Sequence, residues 1–299
     1  MMKFKSGIVS IIGRPNVGKS TLLNTILGEK IVITSDKPQT TRNRALGVKH
    51  TEGGQIVFID TPGIHSKRGL LNEYMVKVAI KTLREVNLIL YMVEAEKGIG
   101  EGDRFVVEKL KQVKTPVILC INKIDLIKRE RLLPLMEAYT GLFPFKEVVP
   151  LSALKNEGVD TLVSLLLDAL PEGPRYFPED AVTDMPERFI AAEIIREKVF
   201  RTLHKEVPYS VAVLVDAFKE EPARNLLSIA ASIYVERESQ KGIIIGEGGR
   251  MLKGIGARAR RDMEELFGTR VYLELIVTVK KNWTKDNRKL KEFGYHFPR

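Results

Sequence analysis

Gly13, Arg14, Pro15, Asn16, Val17, Gly18, Lys19 and Ser20 form a G-x-x-x-x-G-K-S run, placed directly after the apolar, β-rich GIVSII and directly before the helix-like TLLNTIL. That spacing in that context suits phosphate binding. Glycines let successive backbone N–H groups wrap an anion at a helix N-terminus, where the helix dipole favours negative charge. Lys19 then reaches the β- and γ-phosphates of a nucleoside triphosphate, the Ser20 hydroxyl binds Mg²⁺, and Thr21 completes the contacts.

Three shorter motifs follow, each at the end of an apolar run. Asp60, Thr61, Pro62 and Gly63 close QIVFID, which puts a carboxylate at the magnesium's water shell and a glycine N–H near the γ-phosphate. Asn122, Lys123, Ile124 and Asp125 close the next but one. There Asp125 accepts both N1–H and N2–H₂ of guanine while the Lys123 stem packs on the base. Adenine cannot donate that pair, which opposes an ATPase. Ser152, Ala153 and Leu154 follow the last run and offer a backbone N–H to guanine O6. Each short match is weak alone, but four in order, each at a strand's C-terminal end, are strong. The expected ligands are GTP or GDP with Mg²⁺.

This combination resembles the translation-factor class of P-loop GTPases. The resemblance implies that Pro38, Gln39, Thr40, Thr41 and Arg42 form a switch segment whose threonine reaches Mg²⁺ and the γ-phosphate, with Thr41, next to Arg42, favoured over Thr40. Ile64 follows Gly63 where Ras-type GTPases place a water-orienting glutamine, and an isoleucine cannot polarise water. Slow intrinsic hydrolysis is expected, accelerated by a partner or a monovalent cation; in related GTPases the asparagine matching Asn16 helps hold K⁺. Asn16, Lys19, Thr41 and Gly63 are expected to serve hydrolysis, and His65 is read as an exposed loop histidine. Nucleotide state should reorder residues 29–44 and the loop after Asp60.

A second constellation lies near the C-terminus. Gly246, Glu247, Gly248 and Gly249 fit the GxxG loop of a KH domain, whose backbone clamps about four nucleotides of single-stranded RNA. The apolar Ile243, Ile244 and Ile245 enter the loop, Arg250 and Lys253 open the helix after it, and Lys241 adds a cation before it. Side chains in place of the glycines would block the sugar-phosphate backbone. Over the whole chain these motifs resemble the Era family of bacterial GTPases, which carry a C-terminal KH domain. The resemblance implies that the GTP-bound protein captures the 3′ end of small-subunit rRNA near the anti-Shine-Dalgarno sequence during small ribosomal subunit maturation, and that hydrolysis favours release. Glu247 departs from the family, which often has lysine there; a carboxylate beside the phosphate backbone weakens attraction. In the tail, Trp283, Phe293, Tyr295 and Phe297 lie among lysines and arginines, a composition able either to stack on bases or to pack on the protein surface.

The elements that must carry these residues are legible as alternating β-rich runs and helical segments over residues 1–170, the pattern of an α/β domain with a mostly parallel sheet. The linker is placed at residues 171–186, where four prolines break any helix. Residues 187–299 read as a small α+β domain, KH-like of type II, with a basic tail. The chain has 299 residues, 44% of them hydrophobic and 29% charged, which excludes collagen-like and disordered classes. Apolar runs far shorter than about 18 residues exclude a membrane-spanning helix. A single cysteine, Cys120, and no signal peptide point to a reducing, cytoplasmic compartment. The net charge is +10, of which +7 falls in residues 241–299. That excess suits an RNA backbone; the main rival is a GTPase switch docking on the anionic inner face of the cell membrane. Glycines 254 and 256 interrupt the basic helix and favour RNA. No second catalytic constellation supports an enzyme that spends GTP on another substrate. A monomer is expected, with no DNA partner.

Overall fold

In a computed structural model that describes residues 4–35, 37–65, 69–203 and 205–298, the apolar runs become two sheets. The first three residues of the expected first domain, Asp36 of the segment 29–44, residues 66–68 of the loop after Asp60, residue 204 of the second domain and Arg299 of the tail lie outside the described residues. The larger sheet has the order β2-β3-β1-β4-β5-β6. Its strands are β1 (Lys5–Gly13), β2 (Ala45–Thr51), β3 (Gly54–Asp60), β4 (Leu88–Glu94), β5 (Val117–Asn122) and β6 (Glu147–Pro150). All are parallel except β2, which forms a hairpin with β3. Every residue of β3, β4 and β5 is buried, because helices cover both faces, and this is why those runs are apolar without alternation.

Strand parity divides the core. Ile11, Phe58, Leu90 and Cys120 face α1 (Lys19–Leu27) and α5 (Val159–Ala169). Ile12, Ile89, Tyr91 and Leu119 face α2 (Leu70–Thr82), α3 (Glu101–Leu110) and α4 (Leu132–Thr140). Cys120 is fully buried, and burial pushes its thiol up, so it is a core residue. The strand order reverses beside β1, and there, at the carboxyl ends, an open α/β sheet leaves a crevice.

Residues 171–186 contain no helix or named strand, yet they are not loose. Val48 N–H donates to Val182 O at 2.8 Å, His50 Nε2 lies 2.9 Å from Ala181 O, and Gln55 Oε1 accepts the Tyr176 and Phe177 N–H groups at 2.8 and 3.0 Å. The segment pairs with the Val48 N–H and, through the Thr183 hydroxyl at 2.6 Å, with the Leu46 carbonyl of the edge strand β2, covering part of what would otherwise be an open pairing surface.

Beyond it come α6 (Glu187–Thr202), β7 (Ala212–Glu221), β8 (Leu226–Val235), α7 (Glu238–Ile245), α8 (Arg250–Phe267) and β9 (Arg270–Val279). The sheet order is β7-β8-β9, antiparallel then parallel. The buried stripe Ile255, Ala259 and Met263 turns α8 onto this sheet's core. Ile243 to Ile245, an apolar run before the loop, ends a helix, so the GxxG loop joins two helices rather than a strand and a helix.

The tail closes with α9 (Asn287–Glu292). Trp283, Phe293 and Tyr295 are buried against Leu71, Tyr74 and Met75 of α2, and the Trp283 indole N–H donates to Ser210 O at 2.8 Å. Tyr74 meets Tyr295 and Phe297 edge-to-face at 5.5 and 5.6 Å. Of the two readings of these aromatics, base stacking therefore fails: they are spent on joining the two domains, each contributing about 2 kcal/mol of apolar burial.

Candidate functional site

A cavity of about 680 Å³ opens at the carboxyl ends of the parallel strands, lined by Pro15, Asn16, Gly18, Lys19, Ser20 and Thr21 of the loop after β1, by Gln39, Thr40 and Thr41, and by Gly63, Lys123 and Leu154. Gly18 takes φ +103° in the loop, where a Cβ would stand 2.3 Å from Asn122 Nδ2. Lys19 Nζ donates to Arg14 O at 3.0 Å. Burial pulls its ammonium down to about 8, with Asp60 opposing, and burial pushes the Asp60 carboxyl up, with Lys19 opposing.

Three oxygens converge beside Lys19. Ser20 Oγ donates to Asp60 Oδ2 at 2.6 Å, and Thr41 Oγ1 lies 3.0 Å from Ser20 Oγ and 3.4 Å from Asp60 Oδ2. Asp60 Oδ1 is buried with no hydrogen-bond partner. Among the described residues no group of three His, Cys, Asp or Glu could hold a metal. This hard oxygen set with an orphaned carboxylate atom fits Mg²⁺, which needs few protein ligands beside phosphate. Thr40 is turned elsewhere: its hydroxyl donates to Lys37 O at 2.8 Å and its carbonyl accepts from Arg196 Nη2 at 2.5 Å.

Several sequence candidates serve the walls rather than the cavity. The Val17 and Ile64 side chains are fully buried in the core, and Ile64 N–H donates to Gly13 O at 3.0 Å, so Ile64 offers a ligand no side-chain contact. The Thr61 hydroxyl donates to Ile11 O at 2.9 Å, and the Arg14 side chain turns to Asp103 at 3.0 Å. Pro62 is buried, and His65 is half-buried rather than exposed. Asn122 stitches the site together: Nδ2 donates to Val17 O at 2.8 Å, and Oδ1 accepts the Ala153 N–H at 2.9 Å. Ser152 N–H donates to Glu157 O at 3.0 Å. Of the trio, Leu154 lines the cavity. Asp125 is exposed just past β5.

Glu94 was not singled out from sequence. It is a buried carboxylate ending β4, and it holds Lys123 Nζ and Lys97 Nζ at 2.7 Å each, while Lys123 also donates to Asn16 O at 2.9 Å. The available signal was its position: it closes a buried strand as Asp60 and Asn122 close theirs.

The segment of residues 30–42, which contains the switch residues, is clamped by the second domain. Thr34 N–H donates to Glu197 Oε1 at 3.0 Å, and Lys30 bridges Glu197 and Asp262 at 2.7 Å each. Lys37 donates to the carbonyls of Phe200 and Leu203. Arg42 is 1% exposed, donates to Val211 O at 2.6 Å and Tyr209 O at 2.9 Å, and lies over the Phe200 and Trp283 rings. Replacing Arg42 by Ala leaves those carbonyls unpaired in a buried interface and should cost about 3 kcal/mol. Urea unfolding measures it. A loss below about 0.5 kcal/mol, the range of an ordinary surface change, would show that the clamp contributes little.

In the second domain Gly246 takes φ +70° and ψ 174°, and a Cβ there would stand 2.7 Å from Met251 Cβ, so this glycine shapes the turn. Gly248 and Gly249 face open space. Glu247 and Arg250 are exposed and paired with each other. Lys253 is exposed, and Lys241 and Ile245 are half-buried on α7. Beside the loop, a groove of about 310 Å³ runs between α8 and β9, with Lys253 and Arg260 on its rim and Gly256, Ala257, Leu273 and Leu275 along its floor. Leu273 and Leu275 were missed because a strand's pattern does not say which helix it faces. Glu247→Gln frees Arg250 from its partner and should strengthen oligonucleotide binding about threefold at low salt. Fluorescence anisotropy checks this, and equal affinities would show that the pair is immaterial.

Residues 8–123 match the family model described as 50S ribosome-binding GTPase, and residues 206–284 match the KH domain model. The chain is 59% identical to GTPase Era of Geotalea uraniireducens over 98% of each chain, and 60% identical to GTPase Era of Geobacter metallireducens, also over 98% of each. Among solved structures it is similar to Era in complex with MgGDPNP and nucleotides 1506–1542 of 16S ribosomal RNA, with 45% identity, TM-score 0.95, and 98% and 99% of the two chains covered. It is similar also to a variant of Aquifex aeolicus Era bound to GDP·AlF4⁻, at 44% identity, TM-score 0.94 and the same coverage.

Proposed function

The chain belongs to the Era family of GTPases, and from that premise we propose that it is a nucleotide-gated RNA-binding switch that holds the 3′ end of small-subunit rRNA during ribosomal subunit maturation. The observation that carries the gating is the clamp: residues 30–42, which run from α1 to the oxygen cluster at Ser20, are held mainly by α6 and its neighbours in the KH domain. A change of nucleotide at that cluster must alter contacts with the RNA-binding domain.

Within this reading Lys19 and the loop N–H groups hold the phosphates, and Ser20, Thr41 and Asp60 hold Mg²⁺. Bound there, Mg²⁺ supplies charge stabilisation to the phosphates being separated. Asn122 fixes the loop that presents Asp125 to guanine, and Glu94 steers Lys123 toward the base. Gly63 offers its N–H to the γ-phosphate. The second domain clamps RNA on the backbone of residues 246–249, with Lys241, Ile245, Arg250 and Lys253 around it. The domain boundary falls in residues 171–186. No described helix is long and apolar enough to cross a membrane, and the apolar stripe of α8 is spent on the core, so no observation favours the lipid-docking alternative.

Ile64 offers no group to orient water, so hydrolysis depends on help from outside that position. We assign part of that help to K⁺ held beside Asn16, and turnover should be several-fold faster in K⁺ than in Na⁺; equal turnover removes the cation. Multiple-turnover hydrolysis with and without an rRNA 3′-end oligonucleotide tests the function itself. Turnover that responds to this oligonucleotide and not to a scrambled one supports it, and identical turnover in both counts against it.

A further inference from the structure

Arg201 stands in the last turn of α6, in the KH half of the chain, yet it lines the same cavity as Lys19, Ser20, Thr41 and Lys123. Its Nε and Nη2 donate to Thr34 O at 3.2 and 3.1 Å, and Nη2 also meets the Thr34 hydroxyl and Glu197 Oε1, both at 3.1 Å. Nη1 has no hydrogen bond among the described residues, and half of the side chain is exposed. Glu197 itself is fully buried. Burial alone would raise its carboxyl, but hydrogen bonds from Lys30 and the Thr34 N–H hold it below the usual range, so it remains an anion that braces the guanidinium.

We propose that Arg201 is a nucleotide-site residue supplied by the second domain, its braced guanidinium contacting the phosphate chain of the bound guanine nucleotide. The inference rests on the nucleotide reading of the cavity and deepens it. A guanidinium seeks anions, and the phosphates are the anionic part of the ligand. The base is served by Lys123 and Leu154 on the proposed reading, whereas Thr34, which Arg201 contacts, belongs to the segment that runs on to Thr41 and the oxygen cluster. Half of the fork is fixed before the ligand arrives, which lowers the cost of ordering it. The nucleotide is then held by both domains at once, a direct link in addition to the clamp.

The test titrates the full chain with a fluorescent GDP and a fluorescent non-hydrolysable GTP analogue, at low and at roughly tenfold higher ionic strength. Arg201→Gln keeps donors for Thr34 without the charge, and Arg201→Lys keeps the charge without the fork. Arg201→Gln should weaken binding about tenfold at low salt, as expected for one partly exposed charge-assisted contact. The loss should shrink at higher salt, and Arg201→Lys should stay within about threefold of the parent. Wild-type affinity in Arg201→Gln overturns the proposal. So does equal weakening of both variants at both salt concentrations, which would make Arg201 a brace for Thr34. Lys19→Ala is the control: if it binds nucleotide like the parent, the reading of the cavity itself is at fault rather than the role of Arg201.

Discussion

Asp125→Asn should weaken GTP binding about a thousandfold and raise the affinity for xanthosine triphosphate, because the substitution inverts half of the hydrogen-bond pattern that reads the base. The carboxylate can accept N1–H and N2–H₂ of guanine together. An asparagine amide keeps one acceptor and sets an NH₂ donor against a donor, leaving both groups unpaired under the base. Xanthine has an oxygen at the same position and restores the match. The structure makes the experiment clean, since Asp125 is exposed and outside the core. Thermal unfolding should be unchanged while competition of GTP and xanthosine triphosphate against a fluorescent GDP shows the inversion. Retention of GTP selectivity would remove Asp125 from the base site.

Gly248→Asp has the second largest expected effect, a loss of about a hundredfold in RNA affinity with guanine-nucleotide affinity intact. Gly248 sits at φ +58° and ψ 21°, left-handed geometry that aspartate tolerates better than most residues, and a Cβ there meets nothing. The fold cost is therefore small. What changes is the surface offered to RNA, which gains a second carboxylate beside Glu247 and a side chain where the sugar-phosphate backbone must approach. Anisotropy of a labelled rRNA 3′-end oligonucleotide measures the first effect and fluorescent GDP titration the second. Loss of both would mean that the loop supports the fold rather than the ligand.

The parts of this protein legible in its sequence are those fixed by local chemistry. Runs such as LILYMV are apolar at every position because the sheet is covered on both faces, and Gly18 and Gly246 mark turns that other residues could not make. The parts that escaped are set by contacts between distant segments. Arg196, Glu197 and Lys198 are charged residues of a helix and carried no signal of burial, yet they are buried: Thr40 O accepts from Arg196, Lys30 and Thr34 donate to Glu197 from the other domain, and Lys198 pairs with Glu197 and Asp262. Trp283 and Tyr295 read equally well as an RNA-stacking surface until α2 is found lying against them. Three consecutive isoleucines before the GxxG loop favour a strand by their branching, but packing made them the end of a helix. Which threonine faces the oxygen cluster was a matter of one position, and the carbonyl of Thr40, held by Arg196, settles the orientation of Thr41.

On the proposed reading the clamp on residues 30–42 couples nucleotide binding to RNA binding, and by linkage the coupling must then be equal in both directions. The direct measurement is the anisotropy of a labelled rRNA 3′-end oligonucleotide, titrated with the full chain bound to a non-hydrolysable GTP analogue, to GDP, or to no nucleotide. Tighter, sequence-dependent binding in the GTP-analogue state is the predicted result. Binding of equal strength in all three states, and equal for a scrambled oligonucleotide, would contradict it and leave the C-terminal domain a nonspecific basic surface.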